Sequence, residues 1–283
     1  MLTILQATSS DTSEIANFLD RAKLVHRHLD WTPLLDWIDC PPFLKYYFDQ
    51  HLEGILACPP ETPGVAWIKC FACNQASDSA SIFSSLLVEA KKNLPLSLDH
   101  IFALGLNEWF KYILQTNNFE KFQDVIVLRY EHKPLEKIVK GVTTVRPMEL
   151  LDIDEVARID QTSFEPIWTI TSSGLKSAFF QAEHTSVAEI NGKIIGYELS
   201  TANQFSAHLA RVAVLPEFQH ENIGFQLVSE MVTYFLKRGI TEITVNTQDV
   251  NHSSLKLYKK IGFTPTGDRF PIYRIPISAI TGQ

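Results

Sequence analysis

Residues 212–231 read VAVLPEFQHENIGFQLVSEM. The stretch begins as a buried strand that stops at Pro216 and ends as an amphipathic helix, with a polar loop, Gln219–Gly224, between the two. A strand that passes through a loop into a helix aims unpaired backbone N–H groups, and the positive end of the helix dipole, at whatever lies in front of it. The stretch is therefore a candidate anion cradle. Gly224 removes a Cβ where a diphosphate would have to approach the backbone, and Gln219 can close the loop from its near side. Asn222 stands where a phosphate-cradling loop normally carries glycine. Asparagine is one of the few other residues that visits the left-handed region, at a cost of order 1 kcal/mol, so the loop can keep its shape.

Working outward, the second half of the chain reads as alternating elements. Thr143–Pro147 is a short strand, and ELLDIDEVARIDQTSF is a helix with Leu150, Ile153, Val156, Ala157 and Ile159 on or near one face. After the loop EPIWTITSS comes a shorter helix, GLKSAFFQAE. Two strands, TSVAEI and KIIGYELS, are joined by the hairpin signal Asn191-Gly192 and should be antiparallel. AHLARVAVL is a third strand, GFQLVSEMVTYFLKRG a helix closed by Gly239, EITVNT a fourth strand, HSSLKLYKKIG a short helix and FPIYRIPI the last strand.

The first half repeats this order more weakly. MLTILQA, GVAWIKCFAC, HIFALGL and DVIVLRY are expected as strands, and SDTSEIANFLDRAK, ASIFSSLLVEAKKNL and EWFKYILQTNNF as helices. At 283 residues the chain exceeds the roughly 250 at which single cores stop growing, so two domains are expected. The repeated order makes them a duplicated α/β pair, 1–133 and 143–283, joined by a charged linker at 134–142.

Composition narrows the function. A net charge of -7, with only the short basic pairs Lys237-Arg238 and Lys259-Lys260, argues against nucleic-acid binding. No apolar window approaches the roughly 18 residues of a membrane span, and MLTILQATSSDTSE has no basic n-region or long apolar stretch. A soluble, cytoplasmic protein without membrane contact is the expectation. Cys40, Cys58, Cys70 and Cys73 all fall in the first quarter, which suits free thiols better than a disulfide framework. Cys70 and Cys73 have CxxC spacing, but on the expected strand they face opposite sides, so they read as buried small hydrophobes and no metal site is expected.

A second stretch gives the loop its context. NHSSLKLYKKIGF, Asn251–Phe263, starts a helix at Asn251, carries Tyr258 two turns on and ends in Gly262-Phe263. Together, VLPEFQHENIG and NHSSLKLYKKIGF resemble the two signature motifs of the GNAT superfamily of acetyl-coenzyme A dependent N-acetyltransferases. The resemblance spans about residues 143–276 by element order. The usual first motif is Gln or Arg, two residues, Gly, one residue, then Gly or Ala; here its first glycine is Asn222. The resemblance implies an α/β fold of two tandem GNAT-like domains, each a mixed, mostly antiparallel sheet flanked by helices. The first is degenerate, because NQASDSAS has no glycine or basic residue and EWFKYILQTNNF lacks the tyrosine pattern.

By position, the resemblance implies that the backbone of Val212, Ala213 and Val214 lines up the pantetheine arm of acetyl-coenzyme A like an extra strand. Amides of Gln219, His220, Glu221, Asn222, Ile223 and Gly224 would hold the pyrophosphate, Asn251 would hydrogen-bond the cofactor, and Tyr258 would protonate the leaving thiolate. A phenol with pKa near 10 can stabilise or protonate a departing sulfur whose thiol pKa is near 8.5. The alternative for Tyr258 is a core tyrosine.

The base is less directly specified. Relatives that acetylate ribosomal-protein N-termini, similar in IDQTSF and SSLKLYKKIGF, place a glutamate five residues before the motif asparagine; here Asn246 occupies that position and cannot take a proton. Histone-acetylating relatives place one on the preceding strand, at the position of His208, whose reference pKa near 6.5 leaves it mostly neutral at pH 7. Glu198 in GYELS is a second candidate, and either residue could instead be an ordinary strand position. Phe164, Glu165 and Trp168 fall where the superfamily builds its acceptor pocket: Glu165 could attract a cationic amine and the aromatics could pack against its chain, or simply pack the domain. The expected activity is acetyl transfer from acetyl-coenzyme A to a primary amine, either a protein N-terminus or a small molecule, by direct attack. The alternative is a non-catalytic acyl-coenzyme A binder or regulator, which Asn222 and Asn246 allow.

Overall fold

The computed structural model describes residues 1–62, 64–74, 78–132 and 143–281. The chain divides into two compact units, Met1–Gln123 with Phe270–Gln283, and Asp124–Arg269. The linker expected at 134–142 lies outside the described residues.

The first unit contains β1 (Leu2–Gln6), α1 (Thr12–Arg21), β2 (Leu24–Arg27), β3 (Phe43–Phe48), β4 (His51–Ala57), β5 (Pro60–Thr62), β6 (Val65–Trp67) and β7 (Cys70–Cys73). There follow α2 (Ser79–Asn93), β8 (His100–Leu104), α3 (Glu108–Thr116) and the first residues of β9 (Glu120–Tyr130), a strand that runs on into the second unit. One sheet has the order β1-β3-β4-β7-β2. Beside it, β6 pairs in parallel with β8. The core of α2 and α3 against the sheet includes Phe71, Phe83, Leu86 and Phe110.

One expectation for this unit needs correction. GVAWIKCFAC is not one strand but two, β6 and β7, which belong to different sheets. The break lies at Ile68-Lys69, whose amides go to different neighbours: Ile68 N–H donates to Phe102 O at 2.9 Å and Lys69 N–H to Ala57 O at 2.8 Å. Lys69, only 4% exposed, is held between Asp30 at 2.6 Å and Glu61 at 2.7 Å, and a buried ammonium needs such partners. The strands β2, β3 and β4 also carry no signal in the local pattern. The β3–β4 hairpin turns through Asp49-Gln50, both at positive φ (46° and 66°), where Asn-Gly would have announced it. Cys70 packs with Ile15 and Phe18, and Cys73 with Leu44 and Phe83, on opposite faces of β7.

The second unit continues β9 and adds β10 (Thr144–Pro147), α4 (Ile153–Ser163), α5 (Ser172–Gln181), β11 (His184–Ile190), β12 (Lys193–Ala202), β13 (Ser206–Val214), α6 (Ile223–Lys237), β14 (Glu242–Gln248) and α7 (His252–Ile261). It closes with the first part of β15 (Phe263–Pro276), which begins directly after Gly262 and is longer than the expected FPIYRIPI. Its strands follow the order β10-β11-β12-β13-β14-β9. The Asn191-Gly192 turn takes positive φ at both residues (52° and 77°), as a two-residue hairpin requires. All pairs are antiparallel except β13 with β14. Helix α6 buries Phe225, Val228, Val232 and Phe235, three or four residues apart, against Leu209 and Ile243. Helix α4 lies on the other face, where Asp160 meets Tyr197 of β12. Among the described residues no helix is long and apolar enough to cross a membrane.

Candidate active site

The site begins where two parallel strands part. β13 pairs with β14 only from Ser206↔Glu242 to Leu209↔Val245, although β13 runs on to Val214 and β14 to Gln248. On its other edge β13 stays paired with β12 as far as Gly196↔Val214. Among the described residues, the edge of Ala210–Val214 that faces β14 therefore has no strand partner, and a row of unpaired backbone groups is a template for an added extended segment.

That edge leads into the loop. Asn222 is left-handed, with φ 62° and ψ 13°, and forms the N-cap position of α6; His220 is also at positive φ, 70°. Gln219 differs from the expectation, because its backbone N–H is already donated to Pro216 O at 3.3 Å while its side chain donates to Val214 O at 3.2 Å. It closes the loop but adds no amide. The backbone N–H groups of His220 through Phe225 make no close hydrogen bond among the described residues, as is usual ahead of and within the first turn of a helix. A Cβ on Gly224 would stand 3.2 Å from Leu257 Cδ2, so the glycine also allows α7 to pack closely on α6. Lys260 of α7 adds a cation at the loop: its Nζ donates to Asn222 Oδ1 at 3.2 Å and lies 4.6 Å from the Phe225 ring centroid.

Asn251 is the N-cap of α7. Its Oδ1 accepts from Ser254 N–H at 3.1 Å and its Nδ2 donates to Gln248 Oε1 at 3.3 Å, leaving one N–H on the amide for a ligand. Tyr258 is 4% exposed, in the core beside Phe263. Burial pushes its phenol well above the ordinary range, opposed by a hydrogen bond with Ser254, so its proton stays on the oxygen at neutral pH.

The opposite face of the sheet carries His208. His208 of β13 lies against Thr244 of β14, Nδ1 to Oγ1 2.9 Å. The Thr244 hydroxyl reaches Ala207 O at 3.4 Å, to which it can only donate. It therefore accepts from His208 Nδ1–H and leaves Nε2 as a proton acceptor. Burial lowers the pKa of His208, which favours the neutral ring. Asn246, two residues along β14 from Thr244, is exposed on this same face.

Local sequence patterns did not reveal Arg211, Asp160 and Tyr197. Between Leu199↔Arg211 and Ser200↔Leu209 the register shifts, leaving Ala210 as an extra residue. This β-bulge puts His208 and Arg211, three apart, on one face, where a regular strand would separate them. Arg211 Nε donates to Asp160 Oδ2 at 2.6 Å and to Tyr197 Oη at 3.3 Å, Nη2 donates to Trp168 O, and the guanidinium lies 3.9 Å from the Phe164 ring centroid. Tyr197 donates to the fully buried Asp160, whose other oxygen accepts Ile170 N–H at 2.9 Å. These bonds fix the Phe164–Trp168 loop at both ends. Ser163 Oγ, donating to Val214 O at 3.2 Å, ties its start to the end of β13. Phe164 and Trp168 are half-buried there, whereas Glu165 is exposed.

Glu198 is placed differently from a surface strand position. It is fully buried on the α6 face, away from His208, and bonded to His184 Nδ1 at 2.8 Å and to the Ser200 hydroxyl. His184 Nε2 also faces Glu230 of α6 at 3.0 Å. Desolvation works against the charged imidazole, but Glu198 and Glu230 outweigh it and raise His184 to about 9. Burial raises Glu198, and His184 opposes that rise. Glu198 is thus enclosed in an ion pair, whereas His208 is only partly buried.

Comparison with known proteins agrees with this arrangement. Residues 153–263 match the model of the acetyltransferase (GNAT) family. Over 135 residues the chain is 29% identical to a protein of Bacillus subtilis (strain 168) whose name proposes it as a ribosomal protein bS18-alanine N-acetyltransferase, covering 48% of this chain and 89% of that one. The ribosomal protein bS18-alanine N-acetyltransferase of Escherichia coli (strain K12) is 22% identical over 126 residues, 43% of this chain and 81% of the relative. In fold, the whole chain is similar to a tandem GNAT protein from the clavulanic acid biosynthesis pathway, with TM-score 0.65 and 12% identity over 98% of this chain and 99% of that one. The signature loop and the tyrosine helix both fall within residues 153–263, the segment that matches the acetyltransferase (GNAT) family, and the relatives named as N-acetyltransferases support an acyltransferase.

Proposed function

We propose that the second unit is an N-acetyltransferase that uses acetyl-coenzyme A and a primary amine. The observation that carries this reading is the parting of β13 from β14 after Leu209, which leaves an unpaired edge leading into a left-handed Asn222 and the amides of His220 through Phe225. These features fit the proposed cofactor: a bare strand edge suits an amide-bearing arm, and a loop at a helix N-terminus with Lys260 beside it suits a diphosphate. Val212, Ala213 and Val214 would hold the arm, His220 to Gly224 the pyrophosphate, and the remaining N–H of Asn251 would bond the cofactor. When bound, acetyl-coenzyme A supplies an acetyl group activated as a thioester.

The chain's own groups do the rest. His208 Nε2 accepts a proton from the incoming amine, directly or through water, and a backbone N–H near Val214 meets the developing oxyanion. Tyr258 holds its proton at the phenol oxygen, ready to donate towards a departing sulfur. Phe164, Glu165 and Trp168 form the acceptor side, with the exposed Glu165 attracting a cationic amine. The relatives named for bS18-alanine acetylation support a protein N-terminus as acceptor. About a tenth of such an α-amino group, with pKa near 8, is already neutral at pH 7, so a weak base suffices.

Thiol release on mixing the protein with acetyl-coenzyme A and a panel of amines, including peptides with a free N-terminal alanine, tests the reading. Turnover on any amine, reduced in Tyr258→Phe without loss of cofactor affinity, is expected. An unchanged rate in that variant would remove Tyr258 from the mechanism. Asn246 at the position of the relatives' glutamate favours a second reading, a non-catalytic acyl-coenzyme A binder, which predicts thermal stabilisation by the cofactor with no turnover.

A further inference from the structure

The two units treat one strand edge in opposite ways. In the second unit β13 pairs in parallel with β14 for four residues and then continues without a partner on that side. The first unit makes the same move: β6 pairs in parallel with β8, Val65↔His100 to Trp67↔Phe102, after which the chain leaves β8 and continues as β7. Here the gap is filled. β2 pairs with β7 along its whole length, Leu24↔Cys73, Val25↔Ala72, His26↔Phe71 and Arg27↔Cys70, and His28 N–H extends the ladder to Lys69 O at 2.8 Å.

β2 is also anchored by its side chains. His26 is fully buried, and its ring stacks on Phe110 of α3 with centroids 3.9 Å apart and planes 18° from parallel. His28 packs beside Trp67 of β6, 4.8 Å between centroids. Burial holds the imidazole neutral, with its pKa pushed down to about 3 against a weaker opposing contact with the Ile68 backbone. The ring therefore acts as an aromatic wedge. Helix α3 starts after an Asn107 N-cap as α7 starts after Asn251, but the residue seven positions on is the fully buried Leu114 where α7 has Tyr258.

We infer that Leu24–His28 is a built-in occupant of the strand slot that in the second unit receives the cofactor arm, so that the first unit is a closed copy and the chain has one cofactor site. The inference rests on the proposed function for what enters the second unit's slot. Its physical basis stands apart from that: an edge already paired by its own chain cannot pair with a ligand unless β2 is first unzipped, which costs ladder hydrogen bonds and the burial of His26.

Hydrogen exchange read by mass spectrometry on the full chain, with and without coenzyme A, tests it alongside calorimetric stoichiometry. Expected are slow exchange across Cys70–Cys73 in the free protein that coenzyme A does not alter, protection at Ala210–Val214 rising on the order of tenfold with coenzyme A, and one coenzyme A per chain. Two coenzyme A molecules per chain, or ligand-induced protection at Leu24–His28 or Cys70–Cys73, would overturn it. If coenzyme A binds nowhere, the reading of the second unit fails. Exchange in the free protein then decides the inference by itself: slow at Cys70–Cys73 and fast at Ala210–Val214 upholds the closed slot, and fast exchange at both refutes it.

Discussion

Replacing Asn222 by alanine and, separately, by glycine measures how much the loop depends on one backbone conformation. Both changes remove the same exposed bond to Lys260, so the difference between them isolates the backbone. At φ 62° and ψ 13° an ordinary L-residue pays about 1–2 kcal/mol that glycine does not. If the turn opens in the free protein and closes around ligand, that difference weakens coenzyme A binding by Asn222→Ala about five- to thirtyfold relative to Asn222→Gly. If packing holds the turn without ligand, the same cost appears as about 1–2 kcal/mol less unfolding free energy in Asn222→Ala. Calorimetric titration with coenzyme A and urea unfolding, run on both variants, read the two possibilities. Asn222→Gly should equal or exceed the parent in each. Indistinguishable alanine and glycine variants in both assays would refute the claim that the left-handed turn shapes the loop.

Arg211→Ala strands the fully buried Asp160 carboxylate and should lower unfolding free energy by about 3–5 kcal/mol; parent-like stability would mean that the pair contributes nothing. His184 has a folded pKa of about 9 against 6.5 unfolded, so its contribution is complete below about pH 6.5 and is lost as pH rises towards 9. Urea midpoints should fall over that window in the parent, and a His184→Gln variant should lose the slope. His208→Gln should slow turnover and remove an acid limb that lies below pH 6.5, because burial lowers the pKa of His208; an unaltered pH profile would exclude it as the base.

The legible parts were those whose signals are local. The Asn191-Gly192 turn, the capped α7 and the apolar spacing of α6 each lie within a few residues, and the structure places all three as read. The strands β2 to β4 were not legible, since the β3–β4 turn uses Asp49-Gln50 and β2 is only four residues long. The same limit hid the site's brace. Asp160, Tyr197 and Arg211 lie on three different elements and meet only because a bulge at Ala210 turns Arg211 to the face that also carries His208. Glu198 could equally have pointed to solvent. Its pairing with His184 depends on register and on α6 above it.

The sequence by itself determined the alternation of strands and helices, the strand–loop–helix that ends in Asn222 and the helix that carries Tyr258, because periodicity, caps and turn residues act over one or two turns of chain. Tertiary structure decided which strand edges are left bare and which are filled. Pairing between β13 and β14 stops after Leu209, while β7 is covered by β2, and no residue in either strand states who its neighbour will be. It also placed Phe270–Pro276 with residues 1–123, although the sequence order puts the strand FPIYRIPI in the second half. Backbone groups are alike in every residue, so the partner each one finds depends on the packing of distant segments.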